Sequence, residues 1–119
     1  MSVKTLAKSV GLGNFFTGIY TGDGGATQAV IGVGFQPIAV IIYHRVIGPP
    51  YTTDDLPGVK TDVDGAFSFC WDATNFAWRW QTDNIISLDA DGFTVGDGTP
   101  LGINMCNVAA RGYTYICFG

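Results

Sequence analysis

Short runs of aromatic and β-branched residues, many with every second position apolar, recur along this chain and are separated by Gly, Asp and Pro. That punctuation predicts strands and turns rather than helices. The last third shows it most plainly. Ile85-Ile86-Ser87-Leu88, the turn Asp89-Ala90-Asp91-Gly92 and Phe93-Thr94-Val95 read as a hairpin. Asp91-Gly92 is expected to make a type I′ turn there, because that turn needs positive φ at both central positions and Gly tolerates it. Tyr113 to Phe118 closes the chain as a strand set within a sheet, where its backbone donors find partners.

The same punctuation divides the rest. Phe15 to Thr21 and Thr27 to Val33 flank Gly22-Asp23-Gly24-Gly25 and are expected to pair as a hairpin. Ile38 to Arg45 is the longest apolar run and reads as a strand covered on both faces, central in a sandwich or at an oligomer seam, and entered through Pro37. Ala66 to Trp71 and Phe76 to Gln81 are aromatic strands; in the second, Phe76, Trp78 and Trp80 share one face while Ala77 and Arg79 take the other. Residues 47–65, with Pro49, Pro50 and Pro57 among several glycines, read as a long irregular loop. Residues 1–13 read as a short N-terminal arm, since an isolated helix of that length is marginal in water. Seven or eight short strands over residues 14–119 predict one all-β domain, an antiparallel β-sandwich or jelly roll.

Composition sharpens this picture. The 119 residues suffice for a single core. All ten acidic residues are Asp, and there are 17 Gly, a balance suited to turns and poor for helices. Only 13% of residues are charged, against roughly 25% in an ordinary soluble domain, so much of the surface must be uncharged and a permanent partner or homo-oligomer is expected. A net charge of −4 with six scattered basic residues argues against nucleic acid as a partner. The most apolar stretch, Ala29 to Tyr43, is short and broken by Gly32, Gly34 and Pro37, so no membrane-inserted helix is expected. Met1 to Val10 carries Lys4 and Lys8 and lacks the apolar run of a secretory signal. Cys70, Cys106 and Cys117 lack metal-site spacing and read as free, buried thiols.

Candidate chemistry is sparse. Gly22-Asp23-Gly24-Gly25 lacks the Lys-Ser/Thr of a phosphate-binding loop. Asp62-Val63-Asp64-Gly65 and Asp89-Ala90-Asp91-Gly92 echo part of a calcium loop without its closing Glu. No catalytic residue, metal site or cofactor is therefore assigned. A hydrolase using Asp54, Asp62 or His44 would need a nucleophile, base and orienting group that no spacing here suggests. The aromatic stripe, with Tyr51 from the long loop, offers Trp78 and Trp80 as flat surfaces for a glycan; it equally suits a core or subunit interface, which is the expectation adopted.

Three segments in order carry a resemblance: Tyr20-Thr21-Gly22-Asp23-Gly24 through Gly34-Phe35-Gln36-Pro37 and its apolar strand; Asp91-Gly92-Phe93-Thr94-Val95; and Asn107 through Gly112-Tyr113-Thr114-Tyr115. Over roughly Phe15 to Phe118 the chain resembles small β domains of bacteriophage virion proteins, found in tail-fibre-like and capsid decoration proteins. Val108-Ala109-Ala110-Arg111-Gly112 departs from the short turn usual before the last strand of that pattern. The resemblance implies no catalytic residue. It implies a virion protein made in the host cytoplasm, and the absence of room for a shaft favours a trimeric decoration protein on the major capsid protein. Val3, Lys4, Leu6, Lys8 and Val10 of the arm are then the expected capsid contacts. The alternative is a tail or head fibre module that recognises host glycans through Tyr51, Trp78 and Trp80.

Overall fold

A computed structural model describes residues 13–44, 56–72, 77–98 and 106–119. Nine strands occur among them and no helix, hence none long and apolar enough to cross a membrane. They are β1 (Phe15–Thr21), β2 (Thr27–Val30), β3 (Ala39–His44), β4 (Leu56–Thr61), β5 (Ser68–Asp72), β6 (Ala77–Gln81), β7 (Ile85–Asp89), β8 (Gly92–Gly96) and β9 (Gly112–Phe118). Two antiparallel sheets form from them: six strands in the order β1-β9-β3-β4-β5-β6, and three in the order β2-β8-β7. The all-β, sandwich-like class expected from the sequence is what the chain adopts.

Hydrophobic side chains at alternate positions fill the space between the sheets. Val40 and Ile42 of β3, Tyr113, Tyr115 and Cys117 of β9, and Phe93 and Val95 of β8 are buried there with Val30, Val33, Ile85 and Cys106. Tyr20 of β1 stacks on Tyr113 at 4.9 Å between ring centres, stands edge-on to Phe93 and donates its hydroxyl to the Cys106 carbonyl at 2.7 Å. A polar tip that finds a backbone acceptor lets a tyrosine fill a core at little desolvation cost, and each such side chain contributes about 1.5–3 kcal/mol by burial. The closing strand is integral, as expected: β9 lies between β1 and β3.

Four expectations need correction. Phe15–Thr21 does not pair with Thr27–Val30; β1 joins β9 in the large sheet and β2 joins β8 in the small one. Gly22-Asp23-Gly24-Gly25 is therefore a crossover between sheets, tied by Gly22 N–H to Arg111 O (2.9 Å) and Gly24 N–H to Asn107 O (3.0 Å). Residues 56–61, placed in the irregular loop by their proline, form a strand inside the large sheet. Pro57 is tolerated because the pairing of β4 with β5 shifts between Leu56 and Val59, and a bulge needs no donor from it. β3 is central but six residues long, shorter than β1 and β9, and within a single chain only its inner face is covered: Val40 and Ile42 are buried, whereas Tyr43 is exposed.

The fourth concerns the hairpin of β7 and β8. It forms, but Asp89 pairs with Gly92, so Ala90 and Asp91 make the turn, and neither they nor Gly92 has positive φ. Gly92 is required by packing instead, since a methyl group there would overlap the Val30 carbonyl oxygen. Asp91 fastens the same crossing. Its carboxylate accepts Gly32 N–H (3.0 Å) and Gly34 N–H (2.6 Å), and its carbonyl accepts Val33 N–H (3.1 Å). Gly92→Ala is expected to destabilise the protein by about 1–3 kcal/mol, as overpacking against backbone does. Urea unfolding should show a lowered midpoint; an unchanged midpoint would remove Gly92 from this role.

Candidate functional site

Registers fix which side chains share a face, because paired residues in neighbouring strands point the same way. On the face of the large sheet away from the core, β1 presents Phe15, Thr17, Ile19 and Thr21, against Thr114, Ile116 and Phe118 of β9. Ala39, Ile41 and Tyr43 of β3 continue the row, then Val59 and Thr61 of β4. Phe69 and Trp71 of β5 and Trp78 and Trp80 of β6 complete it. None of these positions is charged. Of the large hydrophobic residues that are exposed among the described ones, Phe15, Ile19, Tyr43, Trp78, Trp80 and Phe118 all sit here, and Phe67 adjoins them.

The β5–β6 end is an aromatic cluster. Phe69 stacks on Trp78 at 4.8 Å and 11°, and Trp80 and Trp71 lean on this pair at 5.0 Å from Phe69 and 5.1 Å from Trp78 respectively. Trp78 and Trp80 are nevertheless more than half exposed, at 55% and 54%. Trp78 and Trp80 are thus on no core face, and of the two parts of the expectation only an interface remains open for them; Phe76 lies outside the described residues. Beside Trp80, Val63, Asp64 and Phe67 wall a shallow depression of about 520 Å³. Tyr51, the third residue assigned to glycan contact, and the arm residues Val3, Lys4, Leu6, Lys8 and Val10 lie outside the described residues.

Polar groups elsewhere serve the fold. Lys60, buried on the inner side of β4, donates its ammonium to the carbonyls of Gly65 (2.5 Å) and Phe67 (2.7 Å), and burial lowers its pKa. Asp64 accepts Thr61 N–H at 2.7 Å, so the first calcium-like segment is a closed turn holding the loop that carries Phe67. In the second, Asp89 accepts the hydroxyls of Ser87 and Thr94, both at 2.7 Å, and Asp91 is committed to Gly32 and Gly34. No group of three or more potential metal ligands occurs among the described residues. Cys70, Cys106 and Cys117 form no disulfide and are buried; burial pushes the Cys117 thiol up to about 11 and raises that of Cys106 further. Thiols of that kind are inert packing groups. His44 ends β3, its backbone paired with Tyr113, and Asp62 opens an exposed turn.

No family model, curated protein or solved structure matches this chain. What its site can do must therefore be read from its surface, which offers a broad, uncharged, apolar sheet and no converging acid, base and nucleophile among the described residues.

One carboxylate outside that face has a pH signature. Asp23 accepts Gly25 N–H (2.8 Å) and Asn107 Nδ2–H (2.7 Å), and these bonds hold its pKa below the ordinary 3.8. The unfolded chain then binds more protons than the native one between the two pKa values, so the contribution is present above pH 3.8 and is lost as pH falls through the native value. Asp23→Asn keeps the shape and removes the titration. The stability gap between wild type and D23N, read from urea midpoints, should narrow from pH 5 to pH 3; a gap independent of pH would deny Asp23 this role.

Proposed function

We propose that this chain is a non-enzymatic structural protein of a bacteriophage virion, a capsid decoration protein that binds the major capsid protein and stabilises the head. The observation that carries this reading is the charge-free apolar face of the six-stranded sheet. Such a face suits a protein that spends its working life assembled, because a free monomer seldom keeps more than a few hundred Å² of contiguous apolar surface in water. The ordered resemblance of the β domain to virion proteins supplies the class of assembly. Cementing then needs no chemistry beyond burying surface across capsid joints, and interfaces of about 1,200–2,000 Å² repeated over a lattice are enough. The arm, through Val3, Lys4, Leu6, Lys8 and Val10, is the proposed capsid anchor.

A second reading has its own observation. Trp80 stands half exposed beside a depression that also holds a carboxylate, Asp64, and an aromatic ring, Phe67. A flat ring with a polar group at its rim is the chemistry that receives a sugar, which favours a receptor-binding module on a tail or head fibre.

Co-sedimentation with capsids lacking the protein separates the two. Saturable binding by the full chain, lost in a truncation that begins at Asn14, is the expected result. Failure to bind capsids, together with attachment to host cells that Trp80→Ala abolishes, would overturn decoration in favour of recognition.

A further inference from the structure

We infer that the outer face of the six-stranded sheet is covered by a second copy of this chain, packed sheet on sheet about a two-fold axis. The inference rests on the assembly reading above and names the partner at that face.

Area is the first argument. An aromatic side chain buries about 150–250 Å², so the exposed parts of Phe15, Ile19, Tyr43, Trp78, Trp80 and Phe118, with the half-buried residues between them, come to roughly 800–1,000 Å². A stable interface takes about 800 Å² from each partner. The face therefore holds enough surface to make a dimer without help from any other part of the molecule.

Charge is the second. The chain carries a net −4, so two copies repel unless they meet where neither has a carboxylate. At the strand positions of the outer face there is none. Of the described acidic residues, Asp23 is in the crossover, Asp62 and Asp64 are in the turn after β4, with Asp64 at the rim of the face beside Trp80, Asp72 ends β5 at the register position of Ala77, alternate to Trp71 and Trp78, and Asp83, Asp89, Asp91 and Asp97 are on or beside the small sheet. A face with no charge pattern also carries little to select a foreign partner, whereas it is complementary to itself under a two-fold rotation.

Side-chain length sets the number of copies. Six strands at about 4.8 Å make a sheet nearly 29 Å wide. Three such sheets closing a triangular prism would put each sheet's middle roughly 8 Å from the axis, beyond the reach of Ala39, Ile41, Val59, Thr114 and Ile116, which occupy that middle. Two sheets facing each other lie about 10 Å apart, so each side needs to fill only about half that gap, which those short side chains do. The two-fold pair is packed where a three-fold prism is hollow, so the trimer implied by the resemblance gives way to a dimer at this face.

Sedimentation equilibrium of the full chain tests this, with Ile19→Asp as the disruptive variant and Ile31→Asp as control. Ile19 lies on the face at 58% exposure, and Ile31 lies off it at 75%, so neither change disturbs the core. The expected masses are twice 12.7 kDa for wild type and I31D at micromolar concentration, and a single chain for I19D. Trp78→Asp, at the other edge of the face, should act as I19D does. A wild-type mass of one chain or three chains, or an I19D protein that stays dimeric, overturns the inference. Its failure is distinct from that of the decoration reading: a monomer that still binds capsids sinks only the dimer, and a dimer that ignores capsids sinks only decoration.

Discussion

A sheet of three strands cannot cover a sheet of six, and most of what is distinctive here follows from that mismatch. The small sheet lies over the part of the large one that contributes Tyr20, Val40, Ile42, Tyr113 and Tyr115, and the core forms between them. Toward β5 and β6 the inner side turns polar. Ser68 Oγ accepts Ile85 N–H at 3.2 Å and Gln81 Oε1 accepts Asn84 Nδ2–H at 2.5 Å, so buried hydrogen bonds join the packing between the sheets there. The outer side is uncharged across its whole width, and no strand of the described residues packs over it.

Long-range ties hold the two sheets in register. Asp91 secures the segment after β2 through three backbone donors, and Asn107 reaches Asp23 and Gly25 across the chain, donating at 2.7 and 3.0 Å while its own Oδ1 accepts Asp23 N–H at 2.9 Å. These polar clasps sit at the ends of the sandwich, where turns would otherwise leave backbone groups unpaired. Among the described residues, no aspartate takes a strand position of the outer face: Asp23, Asp62, Asp64 and Asp91 are in turns and crossovers, and Asp72 holds the alternate register position to Trp71. The same residue choice that builds the turns therefore keeps one broad surface neutral.

Much of the fold was legible because strand existence depends on local composition. The β7–β8 hairpin, the closing strand and the shared face of Trp78 and Trp80 all follow from patterns a few residues long. Pairing partners were less legible. Gly22 to Gly25 looks the same whether it reverses a hairpin or passes between sheets, and only its contacts with residues 107–111 decide. Pro57 argued against a strand because the bulge that excuses it is set by β5. Asp91-Gly92 signalled a turn type, yet Gly92 is needed for Val30, a residue far away in sequence. The candidate site was half visible: the period-two stripe was plain, but its continuation through Ile19, Ile116 and Ile41 depends on a strand order that no local pattern contains. An apolar run such as β3 reads alike whether both faces are covered or one.

The central claim is that this outer face is buried in the working protein. All three tryptophans of the chain, Trp71, Trp78 and Trp80, lie on it, so their fluorescence reports its covering without any label. Iodide quenching across a dilution series is the most direct measurement. Tryptophans protected at micromolar protein, with a blue-shifted emission that moves red and becomes quenchable on dilution, are predicted. Full quenching at every concentration, on capsids as well as in free solution, would contradict the account.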